Sequence, residues 1–546
     1  MIKETLEKIL NTLEKCCEET HQNHKSDYQI RRQLFDILSK NNPNNIKEYD
    51  ISVLNEDKQD DFRQQDELFP RNEKWYLVCN KEDSKTDTLL LCDKIKDIPC
   101  NVIFNNCNID LRIDESKGMK KDNTETIKNC LYFYNCAFEK SLNLKNIIFE
   151  KTLTFNQCVF YNNLEIHQNQ FLDHLVFINC HDNQDKKITS LDLQENEFKG
   201  YFFIKNCAIE KINLWKNKFK NRCYFMDSVF GNKNNDNIKL NFSNAHFEDN
   251  AYFNNSEFYN YADFHECEFD DIACFYGVKF HKIPNFSQVV LKGNFNALNI
   301  TSNFVFDDLK KQIKQEYENF NKDIKEKQNK KPLDKFANDF RDSFRIFKNA
   351  LIKDNNLLDA SNFHKYELYC KEIELKNKKG KTFKDVVDRW QLLFYRKLCD
   401  HHTNLILNLK WFIVIVGFFT SILFGLRYGD GNLMQFFNKD SDLLKMLKNI
   451  LNIKALNDSN ATYLILLYSF IGLFFVRTFF IFYYLVIFIL MLAISPYNLF
   501  SMINFAIRHE TNSFLENIII IIYTLSIVLI IFSLQKTARK NSIVPS

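Results

Sequence analysis

Glycine and proline are scarce in this chain, 11 and 7 of 546 residues. So little of either leaves the order of the fold to packed apolar side chains rather than to glycine-led turns. No Cys-x-x-Cys occurs among the 16 cysteines, which removes the usual spacing of a zinc ribbon or a thioredoxin-like centre. The opening "MIKETLEKILNTLEKCCEE" has no apolar stretch between its charges, so no secretory leader is expected and the thiols are expected to stay reduced in the cytosol. A net charge of +3 favours no partner by whole-chain electrostatics. "KKGKT", Lys378–Thr382, is half a phosphate loop, with Leu375 where glycine is needed and no strand leading in. His401 and His402 have no cysteine or carboxylate at ligand spacing. With no nucleophile–base pair either, the reading is that of a non-enzyme without metal or cofactor.

Phenylalanine is what the chain has instead: 54 residues, within an aromatic content of 15%. From Phe104 to about Leu291 large apolar residues recur at alternating gaps of five and six. One series runs Phe133, Phe138, Leu144, Phe149, Phe155, Phe160, Ile166, Phe171, Phe177; another runs from Phe242 to Phe286. Two residues before each centre sits a smaller group, such as Leu142, Leu153, Ala262, Ala273, Cys136, Cys158, Cys180 or Cys267. Residues i and i−2 of a strand share a side, so each unit offers one large and one small inward group and then turns. Four units make a coil of 22 residues that stacks like on like. Cys107, Cys136, Cys158, Cys180, Cys207, Cys223 and Cys267 fall in the small inward slot and are read as packing residues. The vicinal pair Cys16 and Cys17 lies outside that pattern.

Units such as "ADFHE", "CEFDD" and "SEFYN" resemble those of the pentapeptide-repeat proteins, over about 185 residues. The resemblance implies a right-handed quadrilateral β-helix, here with a regular sixth residue and with polar interruptions at Asn108–Asn129, His181–Leu191 and Gly231–Lys239. Residues 1–100 read as an α/β capping region, 101–300 as the solenoid, and 301–400 as a charged helical linker. Within that linker, "FKNAL" through "DASNFHKYE" resembles a tetratricopeptide-like helical hairpin. Residues 401–546 read as an α-helical transmembrane bundle with spans near 405–426, 462–476, 478–494 and 514–534. A span needs ~20 apolar residues to cross ~30 Å of hydrocarbon. Arg477 divides the long middle apolar run: either two short spans turn at it, which avoids burying its charge and gives four crossings, or one long tilted helix carries the arginine inside.

The linker carries 23 basic against 17 acidic residues, with Lys376, Lys378, Lys379, Lys381 and Lys384 clustered ahead of the first span as a lipid-facing patch. That bias and Lys536, Arg539 and Lys540 put both ends of the bundle in the cytosol. From Leu240 through Val278 there is no Lys or Arg but eight Asp and Glu. Glu257, Asp263, Glu266, Glu268, Asp270 and Asp271 are therefore the candidate partner-binding acidic face. The expectation is a multi-pass protein of the inner, cytoplasmic membrane that presents a cytosolic β-solenoid to an unidentified protein partner, with lipid contacts and self-association in view. The alternative is a pore gated by the solenoid, built around Arg477 and the amphipathic stretch Ser441–Asn457. "YGD", Tyr428–Asp430, is similar to the end of a potassium filter but lacks the Thr-Val-Gly run before it. A third option is an acidic mimic of DNA that binds a nucleic-acid enzyme, as some pentapeptide-repeat proteins do. A basic neighbouring coil and a membrane tether argue against it, and nucleic acid is not expected as a partner.

Overall fold

A computed structural model describes residues 26–428, 485 and 514–539, apart from 41, 43–45, 47–48, 72, 81–87, 92, 112–124, 181–187 and 323–329. The described chain divides into two compact units, Met1–Asn356 and Leu357–Ser546.

In the first unit the five-or-six beat becomes short parallel strands that visit four faces in turn. One round lays Leu131–Tyr134 on the first face, Ala137–Phe138 on the second, Leu142–Lys145 on the third and Ile147–Phe149 on the fourth. Leu153–Asn156 then returns to the first face and pairs in parallel with Leu131–Tyr134, so that Phe155 lies over Phe133. Continued in this way, the first face gathers 11 strands, the third 6 and the fourth 8. The second consists of two 4-stranded runs joined around the isolated bridge between Ile188 and Ile209.

Stacking like on like builds ladders of rings. Phe264 lies 4.6 Å from Phe242 and 4.6 Å from Phe286, centroid to centroid, while Phe253 and Phe275 of the neighbouring ladder meet it edge-on at 5.5 Å. All five rings are fully buried. Parallel stacking within a ladder and edge-to-face contact between ladders are both favoured by the ring quadrupole. The small slot fills the space the rings leave: the seven cysteines assigned to it are all buried.

The alternation of five and six has a backbone cause. In the five-residue gaps the corner holds a residue with positive φ, as at Asn135, Asn146, Gln157, Asn244, Asn255 and Glu266. The six-residue gaps between Phe138 and Leu144, Phe149 and Phe155, and Phe258 and Phe264 hold none, their extra residue making the turn in ordinary conformations. Asparagine is frequent at the tight corners because it tolerates the left-handed region better than most side chains do. Glycine is required at Gly293 for another reason: a Cβ there would meet the Asp271 carbonyl carbon and oxygen of the coil below at 2.4 Å.

Corner amides are satisfied by polar ladders. Asn169, Asn196 and Asn217 stack in the small slot, the Asn169 N–H donating to Asn196 Oδ1 and the Asn196 N–H to Asn217 Oδ1, each at 2.9 Å. Ser228 and Ser256 continue the pattern, with the Cys207 N–H on Ser228 Oγ at 3.1 Å. Buried amides without such partners would cost ~1–3 kcal/mol each.

Both ends of the stack are closed, as open sheet edges demand. At the start, Tyr49–Val53 pairs antiparallel with Trp75–Asn80, which in turn pairs in parallel with Asn101–Asn105. Phe62 of the helix Glu56–Gln65 (α2, after α1 at 26–40) packs with Phe69, Trp75 and Tyr132 on the outside of the first face. At the other end lie α3, Phe306–Asn321, and α4, Leu333–Lys353. Phe347 of α4 meets Phe286 edge-on at 4.9 Å, and Ser343 Oγ accepts the Phe286 N–H at 2.7 Å. The front half of the expected linker thus serves as the lid of the last coil.

The second unit contains α5, Leu357–Asn377; α6, Phe383–Cys399; α7, Leu405–Tyr428; and α8, Phe514–Ala538. A Thr382–Asp385 capping box starts α6. Val416 of α7 and Tyr523 and Ile527 of α8 form a buried cluster. Within α8, Asn517–Ala538 is long and apolar enough to cross a membrane. It is the one helix of that kind among the described residues; the described apolar part of α7, Leu405–Phe419, is shorter. The expected spans 462–476 and 478–494, with Arg477, lie outside the described residues apart from Leu485, as do Ser441–Asn457 and the Cys16–Cys17 pair.

Candidate functional site

Stacking redistributes the acidic residues that are neighbours in sequence. Glu257 stands on the second face, Asp263 on the third and Glu268 on the fourth; Glu266 occupies a corner, and Asp270 and Asp271 follow the Glu268 strand. Each coil also brings up cations from the coils beside it. The Lys292 ammonium lies 2.5 Å from Glu268 and 2.9 Å from Asp270, and His246 Nε2 lies 3.0 Å from Asp270. These contacts, that with Lys292 foremost, hold the Asp270 carboxyl below its usual range, and the two carboxylates raise Lys292 to about 12. Glu257 meets His281 at 2.7 Å. Asp263 is buried, paired with Lys239 at 2.6 Å and accepting from Asn285 at 2.9 Å. Exposed carboxylates remain at Glu266 and Asp271. The stretch without Lys or Arg is thus partly neutralised in space.

His246, Glu268 and Asp270 place one ligand atom each within 4.8 Å of one another. The donor set of one imidazole and two carboxylates suits a divalent cation, but Lys292 already supplies the positive charge between the carboxylates. A metal would have to displace that ammonium.

Between the third face and the capping helices lies a groove of about 780 Å³. Tyr261, Asp263, His265 and Lys282 line it from the coils, and Lys311 and Glu316 from α3. Burial, with Asp263 adding repulsion against the opposing pull of Lys239, pushes the Glu316 carboxyl up to about 7. The groove therefore contains an acid that changes charge near neutrality.

In the second unit, the five lysines sit where α5 ends and α6 begins. Lys378 pairs with Asp385 at 2.9 Å, and the Lys381 ammonium donates to the Lys376 carbonyl at 2.7 Å. Lys376, Lys379, Lys381 and Lys384 are exposed. The other end of α6 leads into a turn in which Asp400, His401 and His402 all have positive φ, 51°, 54° and 68°. Three such non-glycine residues in succession are costly, and tertiary contacts hold them. The Tyr369 hydroxyl bonds Asp400, Lys365 lies 3.4 Å from the same carboxylate, and Arg396 grips Glu372 through two bonds of 2.7 and 3.0 Å. Burial lowers His401 to about 3 and His402 to about 4, so both imidazoles are neutral at physiological pH. His402 Nδ1 lies 3.4 Å from both Ser533 Oγ and Thr537 Oγ1 of α8, and Asn408 of α7 donates to Ser533 at 2.8 Å. A cavity of about 480 Å³ adjoins this network, lined by His364, Lys371, His401, His402 and Lys536 among others. From the sequence these histidines invite only a metal-ligand role, which their spacing disfavours. The turn that buries them has no linear signal.

The class of molecule these features define is a stack of parallel β-coils closed at both ends, in one chain with a helical unit containing a helix fit to cross a membrane. No family model, curated protein or solved structure matches the chain.

Proposed function

We propose that the chain is a membrane-anchored scaffold that presents a right-handed quadrilateral β-helix of the pentapeptide-repeat type for protein binding on the cytosolic side of the inner membrane. The observation that carries this reading is the division of labour between surfaces. The coils bury their phenylalanine ladders and turn a mostly polar surface outward, with single exposed groups such as Tyr161 and Tyr276, while α8 exposes Ile521, Leu525, Val528 and Phe532. Water suits the first surface and lipid the second. The multi-pass arrangement belongs to the same proposal and rests on the apolar runs between α7 and α8. Glu266, Glu268, Asp270 and Asp271, spread over the fourth face and its corners, form the part of the acidic surface offered to the partner.

The test is in-cell crosslinking followed by mass spectrometry of the membrane fraction, comparing the natural chain with a variant in which these four acids are changed to lysine. The proposal expects protein crosslinks on the fourth face that the variant loses. Recovery of the chain in the soluble fraction, or the same partner in both proteins, would overturn the membrane or the acidic-surface part respectively.

A further inference from the structure

Helix α6 is amphipathic in an unusual sense: its apolar stripe faces out. Leu392, Tyr395 and Arg396 lie on the side turned to α5 and the neighbouring cavity, with Arg396 clamped to Glu372 and Leu398 and Cys399 buried at the helix end. On the opposite side Phe383, the pair Val386 and Val387, Trp390 and Phe394 recur at three- and four-residue spacing. They are exposed: Phe383 by 85% and Trp390 by 66%. A continuous aromatic edge of this kind on a water-soluble surface signals an interaction site.

Two observations point to what covers it. The first is charge. Residues 376–397 contain eight Lys and Arg against Asp385 and Asp388, and the exposed Lys376, Lys379, Lys381 and Lys384 sit beside the Phe383 end of the stripe. The second is continuity. After a turn of five residues α6 gives way to α7, whose first residues Leu405, Ile406 and Leu409 are themselves exposed, Ile406 by 81%. The apolar edge therefore adjoins the end of a helix pair that already presents hydrocarbon side chains.

We propose that α6 lies in the bilayer interface, with Phe383, Trp390 and Phe394 in the boundary between headgroups and acyl chains and the lysine cluster on anionic headgroups. Aromatic rings prefer that depth, and basic side chains on the polar flank strengthen binding to anionic lipid. This deepens the membrane-anchored reading and rests on it. It makes α6 a float that fixes the height and tilt of the helical unit, beyond what a spanning helix alone would fix.

The test uses the full chain in vesicles of phosphatidylcholine, with or without phosphatidylglycerol, whose acyl chains are brominated near the headgroup. The chain has four tryptophans, so Trp390 is isolated as the difference in emission between the natural protein and Trp390→Phe. That exposed position leaves the packing intact. The expected result is that shallow bromines quench roughly half or more of the difference emission, with aqueous acrylamide ineffective, as the interfacial depth requires. Quenching should be stronger with phosphatidylglycerol, and Lys376→Gln, Lys379→Gln, Lys381→Gln and Lys384→Gln together should remove that preference. Efficient quenching by acrylamide with none by bromines would place Trp390 in water and overturn the proposal. Quenching by neither would show that protein, from this chain or a second copy, covers the edge, and would overturn it equally. Equal quenching in both lipids would overturn the anionic-headgroup part. Resistance of the chain to extraction by alkaline carbonate, measured on the same vesicles, reports membrane anchoring separately.

Discussion

Replacing Phe264 by alanine should open the coils around it and leave the rest of the stack closed. The ring is fully buried between Phe242 and Phe286, with Phe253 and Phe275 edge-on. A buried Phe→Ala change costs about 3–5 kcal/mol in transfer and cavity terms. Ring pairing adds ~0.5–1.5 kcal/mol per good contact. Since the two figures overlap, the net loss should be about 4–6 kcal/mol. At 1.4 kcal/mol per tenfold, amides that exchange by local opening of these coils should exchange roughly a thousandfold faster or more. Hydrogen exchange read by mass spectrometry on the full chain resolves this: peptides covering Lys239–Asn241 and Tyr261–Asp263 should accelerate. Those covering Leu131–Asn156 should not, because each coil touches only its neighbours. Phe264→Leu, which keeps most of the volume, should cost only ~1–1.5 kcal/mol. Acceleration of less than tenfold for alanine would refute the idea that the rings carry local stability. Uniform acceleration over every coil would refute the idea that coils open separately.

Three further outcomes follow from particular groups. His401 and His402 have folded pKa values lowered to about 3 and about 4, so the stability they contribute is full above pH 6.5 and is lost progressively as pH falls from there through the folded values. Between pH 7.5 and 5.5 the deeply buried His401 should cost the helical unit about 1.4 kcal/mol and the partly exposed His402 less, seen as a lower melting temperature in detergent that His401→Gln largely removes. Glu316 has the opposite sign: its folded pKa of about 7 lies above the ordinary carboxylate value, so stability declines as pH rises from about 4.5 through 7. Glu316→Gln should raise the melting temperature at pH 8, by up to ~3 kcal/mol of stability, and change little at pH 4.5. Asn260 is buried, takes the Asn232 N–H at 2.6 Å and donates to the Asn235 carbonyl at 2.7 Å. Asn260→Ala should free residues 231–238 to rapid proteolysis at a cost of ~1–3 kcal/mol, with the adjoining strands still protected from exchange.

The parallel sheets and their register were legible because the periodic signal is strong and local. Once Phe133 and Phe155 are known to be 22 residues apart in a four-unit coil, their pairing follows. The same offset could have been applied to charges, and there the linear reading fell short. Counting along the chain makes 240–278 acidic, whereas adding one coil to Asp270 lands on Lys292, its ion-pair partner. The two kinds of corner were visible only as a spacing; that the five-residue gap holds the left-handed residue is a matter of backbone geometry. The cluster of His402, Ser533, Thr537 and Asn408 was out of reach. It joins positions more than 120 residues apart that share no repeat, through a helix pairing that apolar runs do not specify.

The loop Gly231–Lys239 has a consequence for how such a chain can vary. Phe225 and Phe253 are 28 residues apart instead of 22, yet their rings stack at 4.6 Å and within 2° of parallel. The six additional residues leave at a corner and return to it, held by Asn260 and by contacts of Asn232 with Glu210 and Asp236 with Lys282, without displacing the ladder inside. Inner and outer letters of the chain are thereby uncoupled. Selection can lengthen, recharge or reshape what projects from a corner while the stack underneath keeps its pitch, so new surface can be tried without refolding the protein.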